Sequence, residues 1–135
     1  MKFICVFILL FVPSIVFAET QHPIDIELDK CLEGLSGNSP MANCTYNALE
    51  AWDKELNRVY KDLMGYLTDD GKKQLRFSQR QWIAFRDAEV KYLDTMYNRQ
   101  EFGGSMYIPI LAMNKLMITK ERVLVLTRYL KMHQH

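Results

Sequence analysis

The sequence predicts an all-α fold: an antiparallel bundle of three long helices with a short, disulfide-tethered helical hairpin at the N-terminal side. Three observations predict it. Apolar residues recur at spacings of three and four through three long runs. No segment alternates apolar and polar residues with period two for long enough to make a strand. Two stretches rich in turn-forming residues, "SGNSP" (Ser36 to Pro40) and "NRQEFGGS" (Asn98 to Ser105), interrupt the chain where helices must reverse.

The first element is not part of the fold. Met1 to Ala18, "MKFICVFILLFVPSIVFA", has one basic residue, Lys2, then an apolar run broken at Pro13 and Ser14, and it ends in Val16-Phe17-Ala18. This is the pattern of a cleaved export signal over residues 1–18, too short and interrupted to span a membrane comfortably. The expected location is periplasmic or secreted, with membrane contact through this segment alone and before cleavage. Residues 19–38 form an acidic lead-in, and residues 39–131 form the helical domain.

Cleavage leaves 117 residues, enough for one domain around one core. Their basic and acidic residues balance, which argues against a general nucleic-acid binder. The charges are nevertheless segregated: Glu19 to Asp70 carries 11 acids and 4 bases, and Gly71 to His135 carries 5 acids and 12 bases. Such halves can neutralise each other on packing or leave an acidic face for a cationic partner. Cys31 and Cys44 remain after cleavage, and an even number in an oxidising compartment suggests a disulfide. Two thiols with scattered histidines (His22, His133, His135) do not make a metal site, and no cofactor motif is present.

The lead-in holds a short helix around Ile24 to Leu35, ended by the Ser36 to Pro40 break. Ser39 and Pro40 suit the cap and first turn of the first long helix. Its apolar set is Leu49, Trp52, Leu56, Val59, Tyr60, Leu63 and Leu67, opposite Lys54, Arg58 and Lys61. Thr68 or Asp69 then caps a second helix reaching about Asn98, with Leu75, Trp82, Phe85, Tyr92, Leu93 and Met96 expected inward. A third runs from about Tyr107 to Lys131, with Pro109 in its first turn. Ala112, Leu116, Val123, Leu126 and Leu130 make one stripe on it. Leu111, Ile118, Val125 and Tyr129 make a second, expected to pack on the N-terminal hairpin or, if exposed, to serve association.

One residue breaks the pattern. In "QRQWIAFRDAEV" (Gln79 to Val90), Arg86 falls in the middle of the apolar arc that holds Trp82, Phe85, Ile83 and Val90. A charge there needs a partner, because an isolated buried one costs several kcal/mol. Glu89 on the same helix and Asp53 on the first long helix are the candidates, making Asp53, Arg86 and Glu89 a structural ion-pair network.

The ordered set "WDKELNRVYKDLM" (Trp52 to Met64), "QRQWIAFRDAE" (Gln79 to Glu89), "GGSMYIP" (Gly103 to Pro109) and "TKERVLVL" (Thr119 to Leu126), with its Cys31 and Cys44 lead-in, resembles the secreted LprI-type lysozyme-inhibitor family. The likeness spans about Cys31 to Leu130. Trp52, Asn57, Tyr60, Arg80, Trp82, Asp87 and Arg122 are the matching motif residues, along with Gly103 and Gly104. The resemblance implies an all-helical protein of the bacterial envelope or exterior. It also implies further cysteines just after the R-D pair and within the third helix. Val90 stands at the first of those positions, and the Met113-Asn114 region lacks the second, so a complete bridge is missing.

The expected function is binding by occlusion, with no catalysis and a cationic lysozyme as the candidate partner. An inhibitor of that kind needs an acidic approach surface, for which Asp25, Glu27, Asp29 and Glu33 are candidates. It also needs a protruding element, for which Glu101, Phe102, Gly103, Gly104 and Tyr107 are candidates. The alternative is an envelope interaction module that self-associates or binds another protein through its third helix. The residues favour no particular oligomeric state.

Overall fold

In the computed structural model, residues 21–97 and 104–134 are described. They form four helices: α1 (Pro23–Leu32), α2 (Asn38–Tyr66), α3 (Asp69–Met96) and α4 (Tyr107–Met132). Residues 1–20, which include the expected export signal, and the centre of the α3–α4 connection lie outside the described residues.

Local chemistry sets each helix boundary. His22 caps α1 by accepting the Ile24 N–H through Nδ1 at 3.3 Å, and Pro23 follows where a missing N–H costs nothing. The turn to α2 uses Gly34 (φ 72°) and Gly37 (φ 101°), a region that side chains with a Cβ rarely enter. Gly37 is the N-cap of α2, so that helix starts at Asn38, slightly before the Ser39-Pro40 start that the sequence suggests. Thr68 caps α3, its hydroxyl accepting the Gly71 N–H at 3.3 Å, and Asp69 and Asp70 place negative charge on the positive helix end. Pro109 lies in the first turn of α4.

The core is built by α2 and α4. Asn38 meets Ser105 near the start of both helices, and Trp52 meets Lys120 further along both, so they run in the same direction. Trp52, Leu56, Val59 and Leu63 of α2 interlock with Leu116, Val123, Leu126 and Leu130 of α4, all buried. Side chains of this size each contribute roughly 1.5–3 kcal/mol on burial. Helix α1 folds back on α2, and Cys31 and Cys44 are joined by a disulfide with Cα atoms 5.8 Å apart. Helix α3 runs antiparallel to α4: Asp94 meets Lys115, whereas the earlier Ser78 and Gln79 meet the later Arg122. On α2, Cys44 and Glu55 face α1 whereas Asp53 faces α3, so α1 and α3 occupy opposite sides of the α2–α4 pair.

Two expectations fail for one physical reason: α3 docks through a narrow line of side chains rather than a broad face. Leu75 and Leu93 are its buried residues. Phe85 (55% exposed), Tyr92 (59%) and Met96 (37%) face solvent, not the core. Arg86 therefore sits at the seam between helices, its side chain 29% exposed, instead of in the middle of a packed face. On α4, the first stripe is buried as expected. The second does not pack on the hairpin, because the side of α4 that reaches the hairpin is marked by Lys120, which binds Asp25. Leu111, Ile118 and Val125 are half-buried on the flank nearer α3, and Tyr129 is exposed.

Candidate functional site

One end of the bundle carries two of the chain reversals, α1–α2 and α3–α4. The α1–α2 turn carries Glu33 and Leu35, both exposed, and the last part of the α3–α4 connection carries Gly104, Ser105 and Met106, also exposed. Asn38 Nδ2 donates to Ser105 Oγ at 3.0 Å and ties the two segments together. Tyr107 is half-buried and stacks on Tyr97 with ring centres 5.8 Å apart, which anchors both ends of the connection. Glu101, Phe102 and Gly103 of the candidate loop lie outside the described residues. Leu35 and Met106 are large apolar side chains that sequence periodicity does not single out, since neither belongs to a helical stripe.

The acidic helix is adjacent. Asp25 is engaged internally, accepting from Lys120 Nζ at 2.7 Å, and Glu27 pairs with Lys30 at 2.8 Å. Asp29 accepts from Gln21 at 2.7 Å, and it and Glu33 are exposed. Between α1 and α2, beside the disulfide, lies an apolar slot of about 290 Å³ lined by Ile24, Leu28 and Ala48 and rimmed by Glu27 and Asn47.

Arg86 occupies a second cleft, of about 450 Å³, between α2, α3 and α4. Its Nε and Nη2 donate to Asp87 Oδ1 at 3.0 and 2.8 Å, and Nη1 lies 4.0 Å from Asp53. Glu89, half-buried, is not among its partners; the neighbouring Asp87 takes the guanidinium instead. Asp53 also accepts from Asn57, through its backbone carbonyl at 2.8 Å. Lys115 on the wall of this cleft reaches Asp94 at 2.7 Å.

Of the remaining motif residues, Trp82, Arg122 and Trp52 make contacts between helices. Trp82 stands between two guanidinium groups, Arg86 at 5.3 Å and Arg122 at 5.8 Å from its ring centre. Arg122 donates to Gln79 at 3.0 Å and Ser78 at 3.1 Å, and burial pushes its pKa below the usual arginine value. Trp52 is fully buried, with His22 stacked on it at 4.3 Å and Lys120 at 5.5 Å from the ring. Its Nε1 has no hydrogen-bond partner among the described residues, and the side chain touches α1 and α4 at once. Tyr60 packs half-buried against the core. Arg80 is exposed and takes part in no ion pair among the described residues.

On the hairpin side, the Arg58 hydrogen bond holds the Glu55 carboxyl below its usual value, with His22 3.9 Å away adding to the effect. Asp25, Glu27, Asp29, Asp53, Glu55, Asp87 and Asp94 are each held by a cation or an amide.

The described residues thus form a helical domain with a tied loop end and an acidic helix beside it. The family model described as lysozyme inhibitor LprI matches residues 31–126, and the chain belongs to that family. The crystal structure of an uncharacterised protein from Burkholderia thailandensis is similar, with a TM-score of 0.77 and 26% sequence identity. That match covers 85% of this chain and 56% of the other, so this chain spans little more than half of the longer protein's length. Among curated proteins none matches.

Proposed function

We propose that this is an exported binding protein of the lysozyme-inhibitor type, which blocks a cationic lysozyme by occlusion and carries out no reaction of its own. The supporting observation is the Asn38–Ser105 hydrogen bond, which brings the α3–α4 connection beside the acidic hairpin. A steering surface (Asp29 and Glu33) and protruding apolar residues (Leu35 and Met106) then share one end of the molecule. Carboxylates speed approach to a cationic enzyme, and apolar anchors slow its departure. Family membership supports the same reading.

The test is a lysozyme activity assay with the purified protein at low and high salt. Inhibition that weakens as salt rises, and that drops about tenfold for Met106→Ser with Leu35→Ser, is the expected result. Full lysozyme activity at micromolar excess of the protein, for every lysozyme class tried, rejects the proposal.

A second reading, self-association through α4, is favoured by one observation. Ile110 (40%), Met117 (40%) and Leu124 (48%) are exposed at seven-residue spacing along one line. This line differs from the Leu111 stripe. Sedimentation equilibrium of the wild type and Met117→Glu tests it: a dimer lost in the variant supports it, and a monomer in both rejects it.

A further inference from the structure

The outward face of α3 serves no purpose in the fold. At about 100° per residue, Phe77, Phe85 and Tyr92 fall within one arc of about 80°. They are 55%, 55% and 59% exposed. Lys73, Arg76, Arg80 and Lys91, all exposed, share the adjoining arc of about 60° with Asp69, Asp87 and Asp94, whose carboxylates pair with Lys72, Arg86 and Lys115. Among the described residues the ion pairs of α3 run through Lys72, Arg86, Asp87 and Asp94, and these four cations take part in none. From Lys72 to Tyr92 the helix carries six cations and two acids.

We infer that this face docks the protein on an anionic phospholipid surface, with Phe77, Phe85 and Tyr92 entering the headgroup boundary and Lys73, Arg76, Arg80 and Lys91 meeting phosphates. Charge complementarity selects an anionic occupant. Shape selects a lipid one. The face is the convex outer side of a helix at the edge of the bundle, and a convex aromatic ridge fits an interface that yields around it. Long basic side chains beside it reach phosphates while their stems lie on apolar surface. A second copy placed symmetrically on the same face would set four unpaired cations against four. No helix among the described residues is long and apolar enough to cross a membrane, so the contact is peripheral. Because α1 lies on the opposite side of the α2–α4 pair, a membrane-docked molecule turns its acidic hairpin away from the lipid. The inference stands independently of the lysozyme proposal.

The experiment is flotation of the exported, purified protein with phosphatidylcholine vesicles, with and without about one third phosphatidylglycerol, at low and high salt. The wild type is compared with Phe77→Ser/Phe85→Ser and with Lys73→Gln/Arg80→Gln, all at exposed positions, and circular dichroism confirms retained helix. The wild type floats with the anionic vesicles and not with the neutral ones, and salt releases it. Each cation removed weakens binding by roughly fivefold, and the double aromatic variant by more than tenfold. Equal flotation with both vesicle types, or binding unchanged in both variants, overturns the inference. So does self-association in vesicle-free solution that Phe77→Ser/Phe85→Ser abolishes, since a second copy then covers the face. Lysozyme inhibition measured on the same variants stays at the wild-type level, so failure of either proposal is distinguishable from failure of the other.

Discussion

Lys115 Nζ lies 2.7 Å from Asp94 Oδ1, and this ion pair joins α3 to α4. It forms one helical turn beyond Val90 and next to the Met113-Asn114 region, the places where resemblance to the family implies a second pair of cysteines. A covalent staple is absent there and a charge pair stands in its stead. An ion pair of this kind is worth about 1 kcal/mol or less, against roughly 3 kcal/mol for a bridge. The seam it closes buries few residues of α3, so this helix is the least firmly held of the three long ones.

Native-state amide exchange is therefore expected to separate the helices. Amides of α3 around Leu75 to Leu93 exchange through openings of lower free energy than those around Leu56 in α2 and Leu126 in α4. Asp94→Asn lowers the α3 opening energy by a further 0.5–1 kcal/mol or so and leaves α2 and α4 unchanged. Equal protection across the three helices contradicts this picture.

Trp82 lies at the α3 seam, where guanidinium groups from two helices approach its ring. Trp82→Ala is expected to cost about 2–3 kcal/mol in urea denaturation, through lost burial and both cation–π contacts. Trp82→Phe retains an aromatic face and costs about half as much. A cost under 0.5 kcal/mol for the alanine variant shows that the stack contributes nothing.

The Cys31–Cys44 bridge closes a loop with a sequence separation of 13. Replacing both cysteines with serine is expected to lower stability by roughly 3 kcal/mol. It also loosens α1 from Trp52, where His22 is stacked. Tryptophan emission then shifts to longer wavelength before global unfolding. Coincident shifts in fluorescence and helix content, with no early phase, show instead that α1 is held without the bridge.

Glu55 makes stability depend on pH in a direction that follows from its partners. Hydrogen bonding by Arg58 lowers its folded pKa below the ordinary 4.5. Its contribution is thus present above the unfolded value and lost as pH falls through the folded one. Glu55→Gln lowers stability at pH 7 by about 0.5–1 kcal/mol, and the difference from wild type shrinks as pH falls into acid through the folded pKa. Unfolding midpoints for the two proteins across that range check it, and a gap that widens in acid refutes it.

The same residues show how much of the molecule was legible in advance. Trp52, Leu56, Val59 and Leu63, and the stripe from Ala112 to Leu130, are buried where their spacing put them, because α2 and α4 each meet a partner along their whole length. Phe85 and Tyr92 share the apolar character of those residues and are exposed. Periodicity records that a side chain is apolar and on which arc it lies, but not whether another helix arrives there. Arg86 was traced to a carboxylate, yet its closest one is the adjacent Asp87 rather than Glu89, a choice made by side-chain reach at the seam. In the candidate site, the acidic helix was visible as composition, whereas Leu35 and Met106 belong to turns and carry no periodic signal.

By itself the sequence determined the all-helical class, the number of long helices, the Thr68 cap of α3, and the two cysteines that form the bridge, since each depends on neighbours within a few residues. The tertiary structure alone decided which faces stay open. It set α1 and α3 on opposite sides of the α2–α4 core, tied the α3–α4 connection to the start of α2, and left an aromatic and cationic face of α3 uncovered. Those outcomes depend on how far apart the helix axes come to rest, and that distance follows from how the whole core fills its space, which no local pattern encodes.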